Sequence, residues 1–185
     1  MDLISILGLL NPLTWIQRGW TYFNRPKLHV YFDPNQSYHT RTVTDLGRTP
    51  GFFCHVMVSN DGKETAKNCR GRLIAVSERK PDGNYQPHPG FVSPVVLKWA
   101  HEPDFGPRNI DHDLPRRLDL CFAVQNPPSI LRFFTHKMPS GNQTDFLPGT
   151  YRVKVRIDAE NAAHIDGIFV VSYTGIWNQI SVSQE

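Results

Sequence analysis

His101, Glu102, Asp104, Asp111, His112 and Asp113 place six metal-capable side chains within thirteen residues. Imidazole and carboxylate together suit zinc, manganese or iron, and a metal with an open position activates water for hydrolysis. A metal-dependent hydrolase using this loop, with His101, Asp104, Asp111, His112 and Asp113 as candidate ligands, is therefore one reading. The spacing matches no metal-site signature, because His101-Glu102 is not followed by the second histidine of His-Glu-x-x-His. The competing reading is a solvated polar loop, with neither metal nor cofactor.

Other catalytic chemistry has little support. The chain contains no Gly-x-Ser-x-Gly elbow and no glycine-rich phosphate-cradling loop. Cys54, Cys69 and Cys121 lie in apolar alternation, where a thiol packs rather than attacks. Three cysteines without a Cys-x-x-Cys spacing argue against a zinc ribbon or a dense disulfide framework. They fit buried free thiols in a reducing compartment. His29, His55, His88, His136 and His164 are scattered and read as surface or internally satisfied histidines.

A binding surface has more support. If Tyr151, Val153 and Val155 point inward, Arg152, Lys154 and Arg156 point outward from the same strand. If Leu73 and Ala75 point inward, Arg70 and Arg72 point outward. A face shared by these five cations would suit anionic headgroups, an acidic protein or nucleic acid. The competing reading is a solvated face neutralised by nearby acids. No aromatic residues interleave with the cations, and a net charge of +3 does not by itself imply a nucleic-acid partner.

The elements that must position these residues are strands. At 39% hydrophobic and 20% charged, with fifteen prolines and thirteen glycines, the 185-residue chain is ordinary globular material with many turns. In Phe52–Ser59, Phe52, Cys54, Val56 and Val58 form one row and Phe53, His55, Met57 and Ser59 the other. Asn60-Asp61-Gly62-Lys63 tolerates positive φ and predicts a turn, after which alternation resumes through Leu73 and Ala75. Two geometries fit: a tight hairpin with Cys54 opposite Cys69, or a connection to a facing sheet. Further strands are predicted in 27–33, 94–100, 117–125, 150–158 and 168–177, with weaker strand patterns in 38–46, 129–136 and 179–182. In the 117–125 strand, Leu118, Leu120, Phe122 and Val124 form one row. Seven to nine short strands with Pro/Gly connections describe an all-β antiparallel sandwich.

The segment VMVSNDGKETAKNCRGRL resembles the pattern apolar-x-Val-x-Asn-x-Gly-x-x-x-Ala-x-Asn of prokaryotic immunoglobulin-like domains, among them the bacterial cell-adhesion-related type. Phe146–Val155 (FLPGTYRVKV) resembles their late strand, where Pro-Gly-x-Tyr precedes a corner tyrosine. The resemblance implies an immunoglobulin-like sandwich over 27–185, in which the third and sixth strands are neighbours. It implies no activity, since the fold hosts many functions. An apolar N-terminal segment, an Arg-Pro-Lys junction and then a sandwich also resemble prokaryotic membrane-proximal proteins.

Residues 1–26 differ from the rest. Leu3–Leu10 is apolar, Asn11-Pro12 supplies a helix cap and first turn, and Leu13, Ile16, Trp20 and Phe23 recur at helical spacing. A spanning helix needs about 20 mostly apolar residues, and Leu3–Ile16 is shorter. No basic residue precedes the run, which argues against a secretory signal. Three readings fit: a short or tilted anchor, an interfacial helix held by Trp15, Arg18, Trp20, Tyr22 and Phe23, or an amphipathic helix capping the sandwich. If the segment spans, Arg18, Arg25 and Lys27 leave the sandwich on the cytoplasmic side.

The sequence therefore leads to a non-catalytic binding module with an N-terminal helical segment. It is expected at the cytoplasmic face of a membrane, or in the cytoplasm if that helix packs on the domain. A protein partner is expected and nucleic acid is not. The alternatives are the hydrolase and a soluble structural subunit with a docked helix.

Overall fold

Which face each strand buries decides how the elements stack. A computed structural model describes residues 24–43, 48–126, 130–133, 135, 140–143 and 145–185. The N-terminal helical segment, including Trp15, Arg18, Trp20, Tyr22 and Phe23, therefore lies outside the described residues apart from 24–26. Among the described residues no helix is long and apolar enough to cross a membrane.

The strands form two antiparallel sheets. The first contains β1 (Leu28–Tyr31), β2 (Tyr38–Val43), β3 (Thr49–Asn60), β8 (Arg116–Val124), β9 (Leu131–Phe133) and β10 (Asp145–Phe146). Its order is β1-β3-β8-β9-β10, and β2 pairs with the other half of the β3 edge that β1 occupies. The second contains β4 (Ala66–Arg79), β5 (Tyr85–Pro87), β6 (Val95–Val96), β7 (Arg108–Ile110), β11 (Gly149–Asp158), β12 (Ile165–Tyr173) and β13 (Ile180–Gln184). Its order is β13-β12-β11-β4-β5, with β6 and β7 also on β4. The described chain is thus all-β and sandwich-like.

Of the two geometries open for the central segment, the crossing is the one adopted. β3 and β4 lie in different sheets, so Cys54 stands opposite Cys121 and not opposite Cys69. The turn between them is not made by positive φ at Asn60 or Gly62. The fully buried Asn60 side chain holds it instead. Its Oδ1 accepts from the Lys27 and Gly62 N–H groups, and its Nδ2 donates to the Glu64 and Ile110 carbonyls. Glycine is required at 62 by space, since a Cβ there would lie 2.2 Å from the Arg25 carbonyl oxygen.

The core between the sheets includes Val56, Leu73, Trp99, Leu118, Leu120, Val153, Val155 and Phe169. Gly71 permits the close approach, because a Cβ on it would lie 2.3 Å from Leu118 Cδ2. At one edge the Gln184 amide bridges β13 to β1 and its flank, accepting from Phe32 N–H and donating to the Val30 carbonyl. At the other edge residues 95–100 pass between the sheets, with Leu97 N–H donating to Gly71 and Asp119 N–H to Lys98.

Two bulges change the expected faces. In β4 the ladder with β11 skips Ile74, so Ala75 pairs with Lys154 on the outer face and Val76 takes the buried position. In β8 it skips Leu120. Leu118 and Leu120 face the core as expected, but Phe122 and Val124 join Phe53 in a separate cluster on the outer side. A bulge adds one residue and reverses every later side chain.

Candidate functional site

The outer face of the first sheet carries the titratable groups that the fold brings together. β3 is buried on both sides, with Phe53, His55 and Met57 at most 2% exposed. His55 pairs in register with Asp119 across the β8 bulge, and its Nδ1 lies 2.7 Å from Asp119 Oδ1. Both side chains are 1% exposed. A buried carboxylate needs partners, and Arg41 from β2 supplies a second one at 3.5 Å from Oδ2. The same Arg41 guanidinium lies over the Phe53 ring at 3.9 Å, and Phe53 stacks on Phe122 at 5.0 Å.

Two more histidines extend this pair to the surface. The His39 ring lies 6.4 Å from that of His55, and the exposed His101 ring lies 5.6 Å from that of His39. His101 has φ 65°, unusual outside glycine, which turns the chain where residues 97–100 leave the sheet edge. Burial pushes the His39 pKa down, and the nearby His101, His55, Arg41 and Arg117 push it further the same way. At neutral pH His39 is therefore a neutral imidazole.

Beside this row lies a cleft of about 310 Å³ lined by Gln36, Met57, Trp99, Ala100, His101, Pro115, Arg116 and Arg117. Arg116 donates to Glu102 at 3.0 Å. Arg117 is half-buried and has no acid partner among the described residues. The cleft thus offers one unneutralised guanidinium beside a solvent-facing imidazole, an arrangement suited to an anionic group.

The candidate metal ligands of the 101–113 loop do not converge. Asp104 accepts from Arg108 and from the Gly106 N–H, and these bonds lower its pKa, the backbone one most. Glu102 takes both Arg108 and Arg116 at 3.0 Å. Asp111 accepts from the Thr65 hydroxyl, His112 contacts Asp113, and His101 turns away toward His39. Among the described residues no group of three His, Cys, Asp or Glu side chains is placed to hold a metal ion.

The five cations of the second sheet do share its outer face, since β4 and β11 are neighbours. Acids meet four of them: Arg156 is bidentate on Asp166 of β12, Lys154 reaches the same carboxylate at 2.7 Å, Arg72 meets Asp158 of β11, and Arg152 meets Glu185, just past β13. Arg156 and Lys154 hold the Asp166 carboxyl well below the usual carboxylate range. Arg70 is the cation of the five with no acid partner among the described residues.

Sequence reasoning missed His39, His55, Arg41, Arg117 and Asp119 as one constellation. His55, read as a surface or satisfied histidine, is buried against Asp119; His136 lies outside the described residues. The available signal was a titratable residue inside each of two apolar runs, FFCHVMV and RLDLCFAV. A charged group survives in such a run only if another element supplies its partner. Comparisons with protein-family models, curated proteins and solved structures find no match to this chain.

Proposed function

We propose that the chain is a non-catalytic binding module whose cleft on the outer face of the first sheet receives a carboxylate from a protein partner. The observation that carries this is the half-buried Arg117 guanidinium, which lines a cleft of about 310 Å³ and has no acid partner among the described residues. His101 and Met57 supply an imidazole and an apolar wall beside it. The packed His55–Asp119 pair and the strands bearing it keep that wall rigid, which limits the entropy lost on binding. The hydrolase alternative loses support because Glu102, Asp104 and Asp111 each already have a partner.

An immunoglobulin-like type of sandwich belongs to the same proposal. It is supported by the β3–β4 crossing and by the Tyr151 hydroxyl, which donates to the Leu147 carbonyl at 2.7 Å as a corner tyrosine would. Attachment to a membrane surface rests on the composition of residues 1–26 alone. Its test is co-flotation with anionic liposomes of the full-length protein and of a version starting at Pro26, in which only the former floats.

The cleft is tested by titrating the protein with a short glutamate peptide and following backbone amide shifts. Ala100, His101 and Arg117 amides should move, and Arg117→Gln should weaken binding about tenfold, or ~1.4 kcal/mol. Shifts confined to other faces, or binding untouched by Arg117→Gln, would sink the reading.

A further inference from the structure

The register of the first sheet sets Cys54 directly opposite Cys121, on the central strand pair β3–β8. Directly opposed residues of an antiparallel ladder point to the same face, with Cα atoms about 4.5–5.5 Å apart. That falls inside the roughly 4.4–6.8 Å range over which a disulfide can close. Both cysteines are fully buried in the core between the sheets, and both are free thiols. Burial first, and then the neighbouring Cys121, push the Cys54 pKa up. Cys69 is separated from them: it lies on β4 in the facing sheet, with Arg108 of β7 as its ladder neighbour.

We propose that Cys54 and Cys121 are a cross-strand disulfide site, closed by exchange with a small-molecule disulfide while the chain folds, and that Cys69 stays a thiol. The inference is independent of the cleft. In the first step the Cys54 thiolate attacks one sulfur of the small disulfide, forming a mixed disulfide and releasing one small thiol. In the second the Cys121 thiolate attacks the Cys54 sulfur of that mixed disulfide. The protein disulfide forms and the second small thiol leaves. Two protein thiols are oxidised and one small disulfide is reduced to two thiols, so electrons and atoms balance.

Timing follows from burial. Exchange requires an accessible thiolate. Both thiols are fully buried in the native state, and burial keeps the Cys54 thiol protonated. The register therefore selects the pair while the β3–β8 ladder is assembling, and the finished sandwich protects whichever state was trapped. The bulge beside Cys54 lets the ladder adjust locally to a covalent bridge.

The test refolds the full chain from urea into a mixture of reduced and oxidised glutathione, and in parallel into reductant alone. Soluble protein with native circular dichroism is then denatured and alkylated. One alkylated cysteine, Cys69, is expected from the oxidising arm, with a crosslinked peptide pair spanning 54 and 121, against three from the reducing arm. Three alkylated cysteines in both arms, or a crosslink that includes Cys69, would overturn the proposal. Should refolding yield too little protein, the native protein is held with oxidised glutathione in sub-denaturing urea and sampled over days. Growth of the 54–121 crosslink with rising urea supports the site, and its absence up to the unfolding midpoint refutes it.

Discussion

Asn60→Ala should be the most damaging single polar substitution in the turn that joins the two sheets. The side chain is fully buried and makes four hydrogen bonds to backbone groups of four different residues. Truncation leaves two backbone donors and two acceptors without their partner. The bonds to Gly62 N–H and the Ile110 carbonyl are buried, and a buried group left unsatisfied costs about 1–3 kcal/mol. The bonds to Lys27 N–H and the Glu64 carbonyl are only partly buried, so water recovers most of their energy. The expected loss is about 3–4 kcal/mol, a large share of a typical domain's stability. Urea unfolding followed by tryptophan fluorescence reads it as a lowered midpoint at unchanged slope. Asn60→Asp is the informative control, because its carboxylate keeps both acceptor bonds but cannot donate to either carbonyl. Repulsion from those carbonyls raises its folded pKa above the unfolded value. Its stability deficit should therefore shrink as pH falls toward about 4, where the protonated acid can donate again. A loss below about 1 kcal/mol for Asn60→Ala would mean that packing, not this side chain, holds the crossing.

Gly71→Ala should cost about 1–3 kcal/mol by overpacking, since the new methyl meets Leu118 Cδ2 at 2.3 Å; Leu118→Val combined with it should recover part of that loss in the same urea assay. Asp119→Ala should cost about 3 kcal/mol by stripping the acid from the buried His55 and from Arg41, and equal stability of the variant would refute the pairing. Arg156 first, with Lys154 adding to it, holds the Asp166 carboxyl below the ordinary carboxylate range. Its contribution is therefore fully present above pH ~4 and lost as pH falls below that value, so Asp166→Asn should lower stability near pH 7, and the gap to the native protein should close as the pH falls below ~4.

The sequence by itself determined the class of object. Period-two rows such as Tyr151, Val153, Val155 and Ile157 can bury only one face each, so two sheets must share a core, and that much was legible. The Tyr151 hydroxyl finds its acceptor, the Leu147 carbonyl, four residues back in the same stretch. Alternation was silent on where a ladder gains a residue, so the bulges at Ile74 and Leu120 moved Ala75, Phe122 and Val124 to the opposite face. Only the tertiary structure chose the β3–β4 crossing over the hairpin, since Asn60 finds its partners at residues 27, 62, 64 and 110. The same holds for the candidate site. His55 and Asp119 look misplaced in their own strands, and become a pair only when β3 and β8 are laid side by side. On the outer face of β4 and β11, Asp166 of β12 meets Lys154 and Arg156, and Glu185 meets Arg152, pairings that no local pattern shows. Local pattern follows from the chemistry of neighbours along the chain. Charge pairing, register and clefts depend on residues far apart in sequence, which meet only in the folded state.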